Sequence, residues 1–220
     1  MFANRTEAGR QLAGRLAGFA AENPAVYALP RGGIPVAAEV AVALGAPLDL
    51  IFVRKIGAPL QPELALGAVV DGAEPAVVWN EDIVRQAGVT KRQKQDLADR
   101  AIEEVRRRRQ LFASGRAAVP PKGRTAIVVD DGLATGATAR AAIRALRKAG
   151  ARRVVLAVPV APADAAARMR LKADVFICLE EPEAFGSVGA HYADFSQVSD
   201  EEAIAILDRQ PRRGEAAGAA

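Results

Sequence analysis

Short apolar runs bounded by turn residues alternate along this chain with stretches in which apolar residues recur every three or four positions. That is the pattern of strands alternating with helices. Leu12, Leu16 and Phe19 mark one face of an amphipathic helix within residues 4–22, which Pro24 closes. Val26 to Leu29 reads as a first strand, Pro30-Arg31-Gly32-Gly33 as a turn, and the alanine-rich stretch Ile34 to Leu44 as a helix stopped by Gly45. A second strand, Leu48 to Val53, ends on Arg54-Lys55. Strand, helix and strand in that order build a parallel pair.

The rhythm breaks between Gly57 and Gly123. Leu66 to Val70 and Ala76 to Trp79, separated by Asp71-Gly72, predict an antiparallel hairpin. A short helix starts at Asn80, and Thr90 with Gln93 three residues on forms a capping box for a long helix to about Ala113. The parallel rhythm resumes with strand Thr125 to Val129, helix Ala139 to Ala149, strand Arg153 to Val158, helix Ala163 to Leu171 and strand Val175 to Leu179. After a loop-rich piece, Glu180 to Val198, Ser199 and Glu202 cap a final helix. The expected fold is α/β, with five mainly parallel strands flanked by helices. One domain spans residues 1–210, with an insertion at 57–123 and a small C-terminal piece at 180–198; residues 211–220, lacking any large apolar residue, are expected to be a disordered tail.

Composition narrows the class without naming a chemistry. The 220 residues are 50% apolar and 25% charged, and no run approaches the roughly 18 apolar residues of a membrane span. Met1 to Arg10 has no apolar core of a signal peptide, and one cysteine, Cys178, forms no internal disulfide, which suits a reducing cytoplasm. A net charge of +4 is too small to argue for nucleic acid. Between Lys91 and Arg124, however, eleven basic residues face four acids. Arg106 to Arg109 fan around a helix at about 100° per residue and form no single stripe, so a solvated helix is expected and no nucleic-acid partner.

The densest chemistry lies in Ala126 to Thr138, Ala-Ile-Val-Val-Asp-Asp-Gly-Leu-Ala-Thr-Gly-Ala-Thr. A buried strand ends on two carboxylates, Asp130 and Asp131, and passes through a loop of small residues into a helix. Ala134, Thr135, Gly136, Ala137 and Thr138 let backbone N–H groups approach an anion closely, and the helix start adds its dipole. Carboxylates repel phosphate but accept hydrogen bonds from sugar hydroxyls. The combination asks for a ribose 5-phosphate. Walker A is excluded, because Gly132 to Thr138 lacks its Lys. Pro30-Arg31-Gly32-Gly33 stands in the same relation to its own helix and offers a second anion site.

Four apolar residues, two acids, a short spacer and Thr-Gly-Ala-Thr resemble the phosphoribosyl diphosphate (PRPP) motif of the type I phosphoribosyltransferases. The resemblance implies a five-stranded parallel core, a flap after the second strand and a C-terminal hood over the acceptor. It implies transfer of the 5-phosphoribosyl group of PRPP to a nitrogen acceptor such as a nucleobase, with Mg²⁺ and release of pyrophosphate. Asp130 and Asp131 would hold the ribose hydroxyls and Ala134 to Thr138 the 5-phosphate. Arg31, Gly32 and Gly33 would hold the pyrophosphate, through a cis peptide placed at Arg31-Gly32. Arg54 and Lys55, at the carboxyl edge, would hold the same group; Arg31, Lys55, Asp130 and Asp131 are the catalytic candidates, with Asp131 and Asp194 contacting the metal.

Two places depart from that pattern or leave it open. Ala134 stands where hypoxanthine- and guanine-transferring members carry an Asp near the base. In the hood, Phe185, Tyr192 or Phe195 is a candidate to stack on the acceptor, and His191 reads as a loop residue. The hairpin, with Lys55, Gln61 and Glu63, suits either a lid over PRPP or the arm of a homodimer. A rival reading is a non-catalytic PRPP or nucleotide sensor, with the basic helix Lys91 to Arg116 as its contact surface.

Overall fold

The computed structural model describes residues 1–59, 61–71, 75–112 and 116–210, without the side chains of Pro62 and Glu63. Gly72 of the expected hairpin turn, Ala113, the side chain of Glu63 and the expected tail 211–220 lie outside the described residues. The elements are α1 (Arg5–Leu16), β1 (Pro24–Ala28), α2 (Gly33–Leu44), β2 (Leu48–Leu50), β3 (Val53–Ala58), β4 (Gln61–Val70), β5 (Ala76–Trp79), α3 (Glu81–Gln86), α4 (Lys91–Phe112), β6 (Thr125–Val129), α5 (Ala137–Lys148), β7 (Arg153–Val160), α6 (Ala163–Arg170), β8 (Val175–Glu180) and α7 (Asp200–Asp208).

Five strands form one parallel sheet in the order β2-β1-β6-β7-β8, as the alternation of strands and helices predicts. Its residues bury both faces by period-two alternation: Val26, Ala28, Ile127 and Val129 join the core under α1, α2 and α7, while Ala25, Tyr27, Ala126 and Val128 join the core under α5 and α6. From β1 the chain proceeds to β2 on one side, and from β6 to β7 on the other. The connection direction therefore reverses between β1 and β6, where open α/β sheets leave a crevice at their carboxyl edge.

The first helix is shorter than the 4–22 expected. It ends at Leu16, and a 3₁₀ stretch over Ala17–Glu22 carries the chain to Asn23, at φ 51°. Asn4 caps it by accepting a hydrogen bond from Glu7 N. Gly9 lets α1 lie close on α2, since a Cβ there would stand 2.8 Å from Val36 O.

The second strand is where structure and expectation part. It leaves the parallel sheet at Leu50; Ile51 and Phe52 are buried, and the chain resumes at Val53 in a separate antiparallel sheet, order β3-β4-β5. Arg54 and Lys55 thus lie in β3, paired with Val69 and Ala68, rather than at the end of β2. The expected hairpin is β4 and β5, with β3 as its third strand.

What turns the chain is a buried charge cluster. Asp71, just past β4, accepts a hydrogen bond from Phe52 N at 2.6 Å and pairs with Arg109 of α4 at 2.6 Å, while Arg109 also reaches Asp49 of β2 at 2.8 Å. Asp49 in turn accepts from Val119 N at 2.8 Å. One guanidinium ties together the parallel sheet, the insertion sheet and the basic helix. Of the four consecutive arginines, Arg106, Arg107 and Arg108 are exposed and Arg109 is turned inward. The Thr90–Gln93 box at the other end of α4 forms reciprocally, with Thr90 N donating to Gln93 Oε1 and Gln93 N to Thr90 Oγ1.

Removing one member of a buried pair leaves the other charge uncompensated, so Arg109→Ala should cost about 3 kcal/mol or more, read from the denaturant midpoint. Burial pushes the Asp71 carboxyl up to about 6 against the opposing pull of Arg109. The folded chain then holds a proton that the unfolded chain has released, and this contribution to stability is full below about pH 4 and lost as pH rises through about 6. The stability cost of Asp71→Asn should therefore shrink between pH 4 and pH 7; a cost that grew over that range would contradict the assignment.

Candidate functional site

β1 and β6 are hydrogen-bonded neighbours, so the loops that leave their carboxyl ends start side by side. Leu29 N donates to Val129 O at 2.9 Å and Gly33 N to Leu29 O at 3.0 Å, folding Pro30 to Gly33 back over the end of β6. The glycines are required by contact. A Cβ on Gly33 would stand 2.7 Å from Val129 O, and one on Gly32 would overlap Asp131 Oδ2. The Pro30–Arg31 peptide is cis, one residue before the bond that the resemblance suggested.

Two carboxyl groups meet at this junction in different surroundings. Asp130 accepts a hydrogen bond from Asp131 N at 2.9 Å, and burial first, then the neighbouring Asp131 charge, pushes its carboxyl well above the usual range. Asp131 is also raised by burial, but a guanidinium opposes the shift: Arg5 Nε donates to Asp131 Oδ2 at 2.8 Å, the two side chains being 11% and 15% exposed. The same residue's backbone carbonyl accepts from the Tyr192 hydroxyl at 2.6 Å.

Beyond the pair the small-residue loop leads into α5, which starts at Ala137, two residues before the expected Ala139. Gly136, at φ 71°, precedes α5 in the left-handed conformation, and Ala137 N donates to Thr135 Oγ1 at 3.4 Å. Ala134, Thr135 and Thr138 are exposed. Pro30, Thr138 and Arg54 line one narrow cleft of about 50 Å³, together with Glu104 and Arg108 of α4. Arg54 thus comes to the loops from the insertion sheet, held by Glu104 at 2.6 Å, and Lys55 beside it is exposed. Arg31, next to the two glycines, is half-exposed and pairs with Asp200 of α7 at 2.9 Å.

The hood residues are mostly committed to packing. Tyr192 is buried between Phe2 and Phe195, at ring-centroid distances of 5.4 Å and 5.1 Å. Phe195 lies under the Arg5 guanidinium at 3.8 Å, and Phe185 stacks on His191 at 5.4 Å. Asp194 is exposed; its carboxylate accepts from Ser196 N and Oγ, which holds it below the usual range. Among the described residues no three His, Cys, Asp or Glu side chains converge as a metal cluster. Burial pushes the Cys178 thiol up to about 12, and it donates to Glu180 O at 3.1 Å, an inert arrangement.

Residues 4–194 match the family profile described as "Phosphoribosyl transferase domain". The chain belongs to this family. The crystal structure of TT1426 from Thermus thermophilus is similar, with a TM-score of 0.83 and 42% identity over 94% of this chain and 97% of that one. Two Mycobacterium tuberculosis proteins, one of them named "Putative phosphoribosyl transferase Rv0571c", are 47% identical over all of this chain and 49% of their own length. The chain therefore spans about half the length of the curated relatives it matches.

Within this phosphoribosyl transferase domain the sequence-predicted residues at Gly32, Gly33 and Asp130 to Thr138 come together, and Arg54 joins them across a cleft. Arg5 is the residue that sequence reading missed. It stands 126 positions from its partner, and its only local signal is its place in the first turn after Asn4. Because the Gly33 contact is with rigid backbone, Gly33→Ala should lower the unfolding free energy by about 1–3 kcal/mol in urea titrations, the usual cost of overpacking. A midpoint equal to that of the parent would mean that the two loops stand further apart.

Proposed function

We propose that the protein transfers the 5-phosphoribosyl group of PRPP to a nitrogen acceptor such as a nucleobase and releases pyrophosphate. The observation that carries this reading is the meeting of two helix-initiating loops over an acid pair, with Asp131 packed against Gly32. Such a junction offers two anion cradles with hydroxyl acceptors between them, the order of groups in a sugar bearing phosphate at one end and diphosphate at the other.

In this reading Ala134 to Thr138 hold the 5-phosphate, Asp130 and Asp131 accept the ribose hydroxyls, and Arg31 to Gly33 take the diphosphate. The bond from C1 to the diphosphate oxygen breaks with its electron pair passing to that oxygen, and the acceptor nitrogen attacks C1 as its proton passes to the departing diphosphate or to water. Arg54, which lines the cleft shared with Pro30 and Thr138, and Lys55, next to it in β3, are assigned to stabilise the negative charge that develops on the leaving group, an effect worth more in the transition state than in the ground state. The acid pair suits an ion that arrives with oxygen ligands of its own, and diphosphate and ribose hydroxyls provide them. Mg²⁺ held in that way would neutralise the departing charge, with Asp131 and Asp194 as the carboxylates assigned to contact it.

The test is pyrophosphate release from PRPP and Mg²⁺ across a panel of nucleobases. Turnover with at least one nitrogen acceptor is expected, and Lys55→Ala should lower kcat by about 100-fold, the scale of losing one preorganised charge stabiliser. Unchanged kcat would remove Lys55 from the reaction. PRPP binding without pyrophosphate release from any acceptor would favour the sensor instead.

A further inference from the structure

We infer that Arg5 is the positioning residue that joins the hood to the acid pair, so that the groups facing the ribose and those facing the acceptor are held as one unit. The inference rests on the PRPP reading of the site and adds to it a residue from the N-terminal helix.

The guanidinium of Arg5 makes three contacts at once. Its Nε donates to Asp131 Oδ2 at 2.8 Å, its Nη1 donates to Ser196 O at 2.8 Å, and its face lies 3.8 Å from the centre of the Phe195 ring. Only a planar, forked cation can use two edges for hydrogen bonds and a face for an aromatic ring. Asp131 is held from several sides: Gly32 lies against Oδ2, Arg5 fixes the carboxylate, and the Tyr192 hydroxyl fixes the backbone carbonyl. Two of these three holds come from the hood or through its partner Arg5.

The segment carrying Arg5 is itself woven into the hood. Phe2 N donates to His191 O at 2.8 Å, Ala193 N to Phe2 O at 2.8 Å and Asp194 N to Ala3 O at 2.9 Å. One turn further on, α1 is seated on α2 through Gly9. On the acid side, Gly132 packs against Val188 of the hood so closely that a Cβ would stand 2.5 Å from Cγ1. A shift of the hood therefore carries Arg5 with it and releases the orientation of Asp131, through which Arg5 acts on the ribose.

Calorimetric titration of PRPP with Mg²⁺ into the parent chain, Arg5→Ala, Arg5→Lys, Phe195→Leu, Asp131→Asn and the double variant Arg5→Ala with Asp131→Asn tests this. Arg5→Ala should weaken PRPP by about 10-fold or more, the scale of one charge-assisted hydrogen bond. Arg5→Lys should recover part of that loss, and Phe195→Leu, which leaves the ion pair in place, should weaken binding by about 3-fold. In the Asp131→Asn background, Arg5→Ala should add less than about 2-fold, because its partner is already gone. Equal affinity of Arg5→Ala and the parent would overturn the inference, as would a full additional loss in the double variant, which would place Arg5 directly on PRPP. A lowered binding stoichiometry with unchanged Kd would also overturn it, showing a role in folding alone. If the parent chain does not bind PRPP, the PRPP reading fails and the inference falls with it; if the parent binds and Arg5→Ala binds equally, only the inference fails.

Discussion

Two adjacent, half-buried carboxyl groups at the end of a central strand are expensive, and the site is built around relieving that cost. Each acid is relieved differently. Burial and its neighbour's charge hold Asp130 towards the protonated form, whereas Asp131 faces a guanidinium at 2.8 Å. The glycines at 32 and 132 follow from the same constraint, since the loops must close on the pair from one side and the hood from the other. A cation supplied by the N-terminal helix, a main chain stripped of side chains and a hydroxyl from Tyr192 all converge on one residue, Asp131.

The parallel core was legible because its signals are local. Period-two burial in β1 and β6, glycine stops and capping boxes each act within a few residues, and the helices and strands they imply are present. The acid pair and both loops were legible for the same reason: a strand, a loop and a helix start are contiguous in sequence. Arg5 was not, because its relation to Asp131 exists only after β1, β6 and the hood have assembled. The departure of Arg54 and Lys55 into a second sheet was hidden likewise. Leu48 to Val53 is one apolar run, and nothing within it announces that Asp71 and Arg109 will turn the chain at Phe52.

That turn has a functional consequence. By bending away after Leu50, the chain starts a three-stranded sheet whose first strand carries Arg54 to the cleft shared by Pro30 and Thr138. The buried Arg109 cluster therefore anchors the element that brings Arg54 to the loops. The run of arginines, which in sequence reads as a solvated helix face, supplies this anchor from its last member. Stability and the placing of charge around the site are linked through a single helix.

If the junction of the two loops is a site for a ribose carrying phosphate and diphosphate, a crystal structure of the chain grown with PRPP and Mg²⁺ will show it. Ribose hydroxyls are expected within hydrogen-bond distance of the Asp130 and Asp131 carboxyl groups, the 5-phosphate against the backbone of Ala134 to Thr138, and the diphosphate beside Gly32 and Gly33. PRPP bound elsewhere, or with its phosphate and diphosphate ends exchanged between the two loops, would refute this assignment.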